Sequence, residues 1–397
     1  MDKSRAFDTP TFVALLAVLA AMNALSVEIV LPAIVPIAAE FQVREEDAAM
    51  LIGAYFLSYA VGQILWGLLS DAFGRKSMML VGLSGYLGAS VLASIAQDFT
   101  SLLLIRIIQG GFGAAPIIAN AIVRDISSGA QAARTQSVLA ATISVAPLVA
   151  PALGSGILVL ADWRMIFVCL AVVSAVLIAM TVASLPETLT ERRPERLRPS
   201  FVVRRVGELY RTPVFRYNTL VTNLSFGGFA SVLAMGSVVA ENAYEISPEA
   251  FGSVYAVIAV ATLVGVFAAR ALMRHLALVS VGAVSVAMLA LAVLAHLALV
   301  FTEPVFAVFW GHVALYLFAF GMIFPTFTSI ALDAAGATKG FAASIKGALN
   351  MVFGFLCAVL VTTFYDGTFR TISIAMIGFG TLSVLSFFLG YRYSKAG

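Results

Sequence analysis

The sequence predicts an all-α membrane protein, twelve transmembrane helices in two six-helix bundles, and three observations carry that prediction. The 397 residues are 61% hydrophobic and only 11% charged, where a water-facing surface needs roughly 25%. Apolar stretches recur along the whole chain, each long enough to cross a hydrocarbon core of about 30 Å at about 1.5 Å per residue. A single polar, arginine-rich stretch interrupts them midway. In lipid only helices and closed barrels satisfy their own backbone groups. The stretches here are continuous and rich in Leu, Ala and Val, not alternating every second residue, which excludes an outer-membrane barrel.

In chain order the predicted spans cover about residues 10–38, 48–70, 77–97, 100–123, 135–160, 164–185, 213–240, 250–273, 277–300, 304–331, 341–364 and 370–392. Connections are short except for 186–212, which runs from Pro186 through Arg192, Arg193, Arg196, Arg198, Arg204, Arg205 and Arg211. That basic linker divides the chain into an N-terminal bundle, 1–185, and a C-terminal bundle, 213–397. The Lys/Arg bias sets the orientation. With the N-terminus inside, 19 of the 24 Lys and Arg fall on the cytoplasmic side; Arg44, Arg164 and Arg370 fall outside, and Arg106 and Lys346 within helices. The outer loops are acidic instead, with Glu45, Glu46 and Asp47 in one and Glu241, Glu245 and Glu249 in another. Both termini are then cytoplasmic. Topology thus accounts for the basic linker and the net charge of +3, so no nucleic-acid partner is expected. Lys3 and Arg5 ahead of the first apolar run resemble a signal peptide, but the run continues past Glu28 and eleven more follow, so an uncleaved first helix is expected. Cys169 and Cys357 each lie inside an apolar run, which leaves no CxxC site and no disulfide framework. Three histidines without an H-E-x-x-H pattern offer no metal site, and no nucleophile–base constellation points to an enzyme.

Few polar groups enter the helices, and each has a plain reading beside a functional one. In the first span Glu28, within Val27-Glu28-Ile29-Val30-Leu31-Pro32-Ala33, is the sole acidic residue in a predicted helix interior. A carboxyl group whose access to water alternates changes its protonation accordingly, as proton coupling requires; the plain reading is a helix-end glutamate in an outer vestibule. After the second span comes Gly67-Leu68-Leu69-Ser70-Asp71-Ala72-Phe73-Gly74-Arg75-Lys76. Gly67 admits close helix approach and Gly74 a tight turn, while Asp71, Arg75 and Lys76 form a charge cluster suited to latching one conformation. In the fourth span Arg106, Gln109, Gly110 and Gly113 share a face at i, i+3, i+4 and i+7. A membrane arginine normally faces a cavity or a partner; the alternative is an arginine bonded to helix-end carbonyls. Asn120, nearly four turns on, is expected to reach the same cavity lower down. The fifth span carries Pro147, Pro151 and Gly154 on one face, which permits close, bendable packing. His312 in the tenth span, with Tyr316 one turn on, is a candidate for substrate contact or a packed, hydrogen-bonded residue. Lys346 in the eleventh, with Asn350 and Phe353 on its face, either snorkels to the interface or pairs with an anionic substrate group.

The loop Gly67–Lys76 resembles the G-x-L-x-D-R-x-G-R-K signature of the major facilitator superfamily, departing at Ala72, where the pattern has Arg. Arg106-Ile107-Ile108-Gln109-Gly110 is similar to that superfamily's R-x-x-Q-G run in the fourth helix. Ala146-Pro147-Leu148-Val149-Ala150-Pro151-Ala152-Leu153-Gly154 looks like the antiporter motif of its drug-efflux members. Ser26 to Pro36 resembles the S-x-D-x-Y-L-P-A-x-P segment of the bicyclomycin-resistance branch, with Glu28 for Asp and Val30 for Tyr. The resemblance implies two bundles related by an axis along the membrane normal, with a substrate site between them near the midplane. It also implies that spans one, four, seven and ten line the cavity; in the seventh, Asn218, Thr222, Ser225 and Phe229 share one face, with Asn223 beside it. On that footing the protein is a drug:proton antiporter that exports small organic molecules from a bacterium across its inner membrane. Glu28 and Arg106 then serve proton coupling; Glu28, Asn120, Asn223, His312, Lys346 and Asn350 serve the substrate. The partners are the substrate, protons and the bilayer around a monomer; no cofactor is expected, the proton gradient being the energy source. The alternative is a dedicated exporter of one anionic or zwitterionic metabolite, such as a metallophore or amino-acid derivative. Lys346 and Arg106 favour it, whereas the apolar background favours hydrophobic drugs. A channel is the rival outside the carriers, and flux against a gradient separates the two.

Overall fold

The computed structural model describes residues 10–126 and 129–394. Among these, twelve helices are long and apolar enough to cross a membrane: Pro10–Phe41, Glu45–Phe73, Arg75–Ser94, Phe99–Ile126, Arg134–Leu160, Arg164–Ser184, Pro213–Tyr244, Pro248–Leu272, Leu278–Leu299, Phe306–Ala334, Lys339–Thr363 and Arg370–Tyr393. Each predicted span meets one of them, in order, and the protein is a multi-pass helical membrane protein. Lys3, Arg5 and Lys395, three of the charges that orient the chain, lie outside the described residues.

Two spans are not continuous helices, and in both proline is the reason. The first is helical over Pro10–Glu28, passes through a 3-10 turn at Leu31–Ala33 and resumes over Ile34–Phe41. Pro32 lacks the N–H that would reach back to the Glu28 carbonyl, so the ladder stops there. The fourth is helical over Phe99–Gly111 and again over Ala115–Ile126. Pro116 leaves the Phe112 carbonyl without its helical donor, and Ala114 N–H takes it instead at 2.7 Å. Pro147 and Pro151, by contrast, lie inside one unbroken helix, Gly129–Leu160.

The linker is more structured than its charge implied. It holds a 3-10 turn at Pro194–Leu197 and a helix at Pro199–Arg211. Val202, Val206 and Leu209 recur at i, i+4 and i+7, an apolar stripe that the arginines mask in a composition reading. Phe201 packs edge-on against Phe341 at the start of the eleventh span, and Tyr210 against Phe215. The side of the molecule that carries this helix is called the linker face below, and the opposite side the far face.

Helices before the linker pack mainly on one another, and so do those after it. The two sets meet along two seams, the second span against the eleventh and the fifth against the eighth. The seventh span runs through the middle, and every residue from Val221 to Ala240 is buried. A helix apolar or neutral on all sides belongs in such a core.

Candidate functional site

Glu28 ends the first helical stretch, beside the break that Pro32 creates. It is 5% exposed, and its Oε2 has no hydrogen-bond partner. Gly154 of the fifth span presses into this break. A Cβ there would collide with the Ile29 carbonyl oxygen and stand 2.9 Å from Pro32 Cγ, so only glycine permits the approach. At the next residue the same helix meets the eighth span. Ser155 Oγ donates to the Pro248 carbonyl at 2.8 Å and accepts from Gly252 N–H at 2.9 Å. Tyr255, one turn further along the eighth span, lies within electrostatic reach of Glu28, and its hydroxyl is buried without a partner. A carboxyl group, a phenol and a helix break thus share the seam between the two halves. Sequence reasoning missed Tyr255, because nothing local marks a tyrosine whose partner is 227 positions away.

Arg106 is fully buried inside the first half. Its Nη1 donates to Gln109 Oε1 at 2.6 Å and, at 3.4 Å, to the Ser26 carbonyl. Gln109 Nε2 continues to Ser90 Oγ at 2.8 Å, and Ser26 Oγ meets the Tyr86 hydroxyl. The guanidinium lies 4.5 Å above the Tyr55 ring, a cation–π contact strengthened by the absence of water. Its Nε and Nη2 have no partner. Among the described residues no carboxylate lies within 4 Å of it, so this conformation does not join Arg106 to Glu28. Asn120 is also elsewhere: its Nδ2 donates to the Pro116 carbonyl at 2.8 Å and its Oδ1 accepts from Gln136 at 3.0 Å.

At the linker face the loop of the second and third spans is tied down on all sides. Gly74 has φ +109°, and a Cβ there would run into the Glu187 carboxylate. That carboxylate accepts from the Arg75 and Lys76 backbone N–H groups at 2.9 and 3.3 Å. Arg75 pairs with Asp71 at 2.6 Å and Asp125 at 2.8 Å, and Lys76 Nζ donates to the Val182 carbonyl. Ala72, which replaces the family arginine, is buried; Arg196 of the linker supplies a second cation to Asp71 at 2.5 Å. Gly67 faces Ser344 of the eleventh span at 3.4 Å from its Cβ position.

Above this cluster the linker face opens into a cavity of about 800 Å³ between the second, fourth and eleventh spans. Arg75, Arg124, Arg193, Arg196, Arg205 and Lys339 line it, against Asp71, Asp125, Glu191 and Glu195. The far face is closed: besides the Ser155 contacts, Asn242 bonds Glu45 at 2.7 Å and Thr362 touches Met50 Sδ at 3.3 Å across the halves.

Deeper in, the second half contributes an aromatic group. Phe226 and Phe229 of the seventh span touch Phe320 of the tenth, Phe320 touches Phe324, and Phe56 of the second span meets Phe226. Lys346, 4% exposed, holds its Nζ 4.6 Å from the Phe324 ring centre. It has no carboxylate within 4 Å among the described residues. Asn350, one turn on, is 5% exposed with Oδ1 unpartnered, and Asn223 has neither amide atom bonded. Thr222 and Ser225, expected to face substrate, instead bond carbonyls of their own helix. His312 Nδ1–H donates to the Val308 carbonyl, 2.6 Å away, and its ring lies 6.1 Å from that of His296. Among the described contacts none links His312 to Lys346, Asn350 or Asn223.

Twelve spans in two halves, with a charged cavity between them at one face, are the build of a membrane transporter. The Major Facilitator Superfamily model matches residues 16–362, and the chain belongs to that superfamily. A bicyclomycin resistance protein homolog of Haemophilus influenzae is 31% identical over 245 residues, 61% of this chain and 61% of that protein, so the match spans less than two thirds of the relative. An uncharacterized MFS-type transporter of Bacillus subtilis, YdgK, is 26% identical over 361 residues, 87% of each chain. Among solved structures, a D-xylose–proton symporter superposes with a TM-score of 0.75 at 14% identity, covering 96% of this chain and 97% of that one; this likeness concerns the fold alone. The resemblance to the bicyclomycin-resistance branch read from the motifs is met by the first of these relatives. Homologues and fold are those of transporters, not enzymes.

Proposed function

We propose that the protein is a proton-coupled exporter of small organic molecules, a drug:proton antiporter of a bacterial inner membrane, acting as a monomer. The observation that carries the reading is Glu28: a buried, half-unpartnered carboxyl at a helix break, on the seam that must part when the far face opens. The linker face is the cytoplasmic one, because the Lys and Arg gather there, and both termini lie on that side. The conformation then faces inward, open at the linker-face cavity and closed below it where Gln63 meets Gly347. Opening the far face separates Gly252 from Ser155 and admits water to Glu28, which takes up a proton from outside; closing it withdraws that water and keeps the carboxyl neutral, and the proton leaves when water reaches Glu28 from the linker face. The cargo moves the opposite way on the alternate half-cycle. No cofactor takes part. Each charge moved through 100 mV gains about 2.3 kcal/mol, enough for roughly fifty-fold accumulation per net charge.

The reading is supported by the drug-resistance name of a relative and by the Gly154 contact, which ties the fifth span to the Glu28 segment. The test is flux of a panel of lipophilic organic probes, ethidium among them, in proteoliposomes with an imposed pH gradient. Uphill movement abolished by a protonophore is the expected result. Flux that runs only downhill, unaffected by the protonophore, overturns the reading in favour of a channel.

A further inference from the structure

Lys346 is a basic side chain with no anion beside it. Its 4% exposure rules out the snorkelling geometry, in which the ammonium reaches interfacial water. A buried charge left unpaired is costly, and a ring face at 4.6 Å compensates only part of that cost. The cost is offset where something else supplies the missing charge. Around it lie Asn350, with an acceptor awaiting a donor, and the contiguous rings of Phe324, Phe320 and Phe226. The rings offer flat apolar area and the lysine and asparagine offer a polar end. That is the division of labour of a small-molecule site.

The way in points to the same sign of charge. The cavity at the linker face ends inward at Ile64, Gly67 and Ser344. The next layer is Gln63 against Gly347, the residue after Lys346. Of the six basic side chains that line the cavity, Arg205 and Lys339 pair with Glu208 and Asp333 beside it, Arg75, Arg193 and Arg196 pair with acids of the lining, and Arg124 makes no ion pair among the described residues. Topology explains why these cations sit on one side of the membrane, but not why they converge on a cavity wall. An unpaired guanidinium on the wall of a cavity draws anions toward it.

We propose that the cargo is an amphipathic organic anion whose acidic group pairs with Lys346 and whose aromatic or apolar body lies against Phe226, Phe320 and Phe324. This rests on the exporter reading for its direction of movement, but not for the binding itself. In the present conformation the rings close over the group, so the cargo enters when the Gln63–Gly347 layer parts.

The test uses the full-length protein in lipid nanodiscs and three probes on one frame: 2-naphthoate, its neutral amide and 2-(aminomethyl)naphthalene. Binding is read as ligand-induced thermal stabilisation. Naphthoate should half-saturate at about tenfold lower concentration than the amide or the amine. Lys346→Gln should abolish that preference, and Lys346→Arg should keep it; the melting temperature without ligand reports folding for each. Equal response to all three probes, a preference for the amine, no response to naphthoate at millimolar concentration, or a naphthoate preference that survives in Lys346→Gln would each overturn the proposal. Nanodiscs carry no proton gradient, so the two readings fail separately. Discrimination without pH-driven flux in proteoliposomes sinks the exporter reading alone, and flux without discrimination sinks the anion assignment alone.

Discussion

Replacing Gly252 by valine should open the far face while leaving each half folded. In the structure a Cβ at Gly252 would stand 2.5 Å from the Pro151 carbonyl oxygen, 2.7 Å from Ser155 Oγ and 2.9 Å from Ala152 Cα. Two of these are backbone atoms of the fifth span, so a flexible side chain is not available to give way. Overpacking of this kind costs about 1–3 kcal/mol. The strain lies across the seam and vanishes when the fifth and eighth spans separate, so nearly all of it biases the conformational equilibrium. That corresponds to roughly 5- to 150-fold more far-face-open protein. Thr362, 9% exposed and touching Met50 across the other seam, provides a reporter as Thr362→Cys. Its labelling by a membrane-impermeant maleimide, read by mass spectrometry at position 362, should accelerate by that factor in Gly252→Val. Unchanged labelling in a protein with an unchanged melting temperature would refute the idea that this contact holds the far face shut.

Three further outcomes follow from single residues. Gly74→Ala should lower stability by about 1–3 kcal/mol, because alanine resists φ +109° and meets Glu187; Gly311→Ala, in a helix with open space around it, should be neutral or stabilising in the same thermal assay. Asp98 caps the fourth span, and hydrogen bonds from the Ser101 hydroxyl and backbone N–H hold its carboxyl below the usual carboxylate range. Its stabilisation is therefore present at neutral pH and lost as pH falls through the folded-state value, so the melting-temperature gap between wild type and Asp98→Ala should close below about pH 4. Tyr255→Phe removes a hydroxyl that bonds nothing; stability should hold, while the pH profile of transport should move where the phenol meets Glu28 once the far face opens. A profile that stays in place would mean that Tyr255 is packing alone.

Most of the architecture is legible in the sequence because lipid leaves so few alternatives. Continuous apolar runs identify the spans, and Pro32 four residues after Glu28 marks the break that isolates the carboxyl. Gly154 is legible as a close-approach residue, though not its target, the Ile29 carbonyl. Pairings between distant segments are not legible. Arg196, one arginine among many in the linker, reaches Asp71 and stands in for the cation missing at Ala72. Gly252 carries no local sign that it closes the far face. Hydroxyls mislead in the opposite direction: Thr222 and Ser225 lie on the expected face of the seventh span, yet they are spent on their own helix, and Asn223 beside them is the residue with free amide atoms. The amphipathic helix Pro199–Arg211 was hidden because its apolar stripe is diluted by arginine.

The central claim is that Glu28 carries the proton, and Glu28→Gln tests it most directly. Glutamine keeps the size and removes the titration. In proteoliposomes with an imposed pH gradient, the variant should still exchange cargo down its own gradient but should lose acceleration by the pH gradient and all uphill accumulation. A Glu28→Gln protein that still accumulates cargo in response to the pH gradient, at a rate near that of the wild type, would contradict the account.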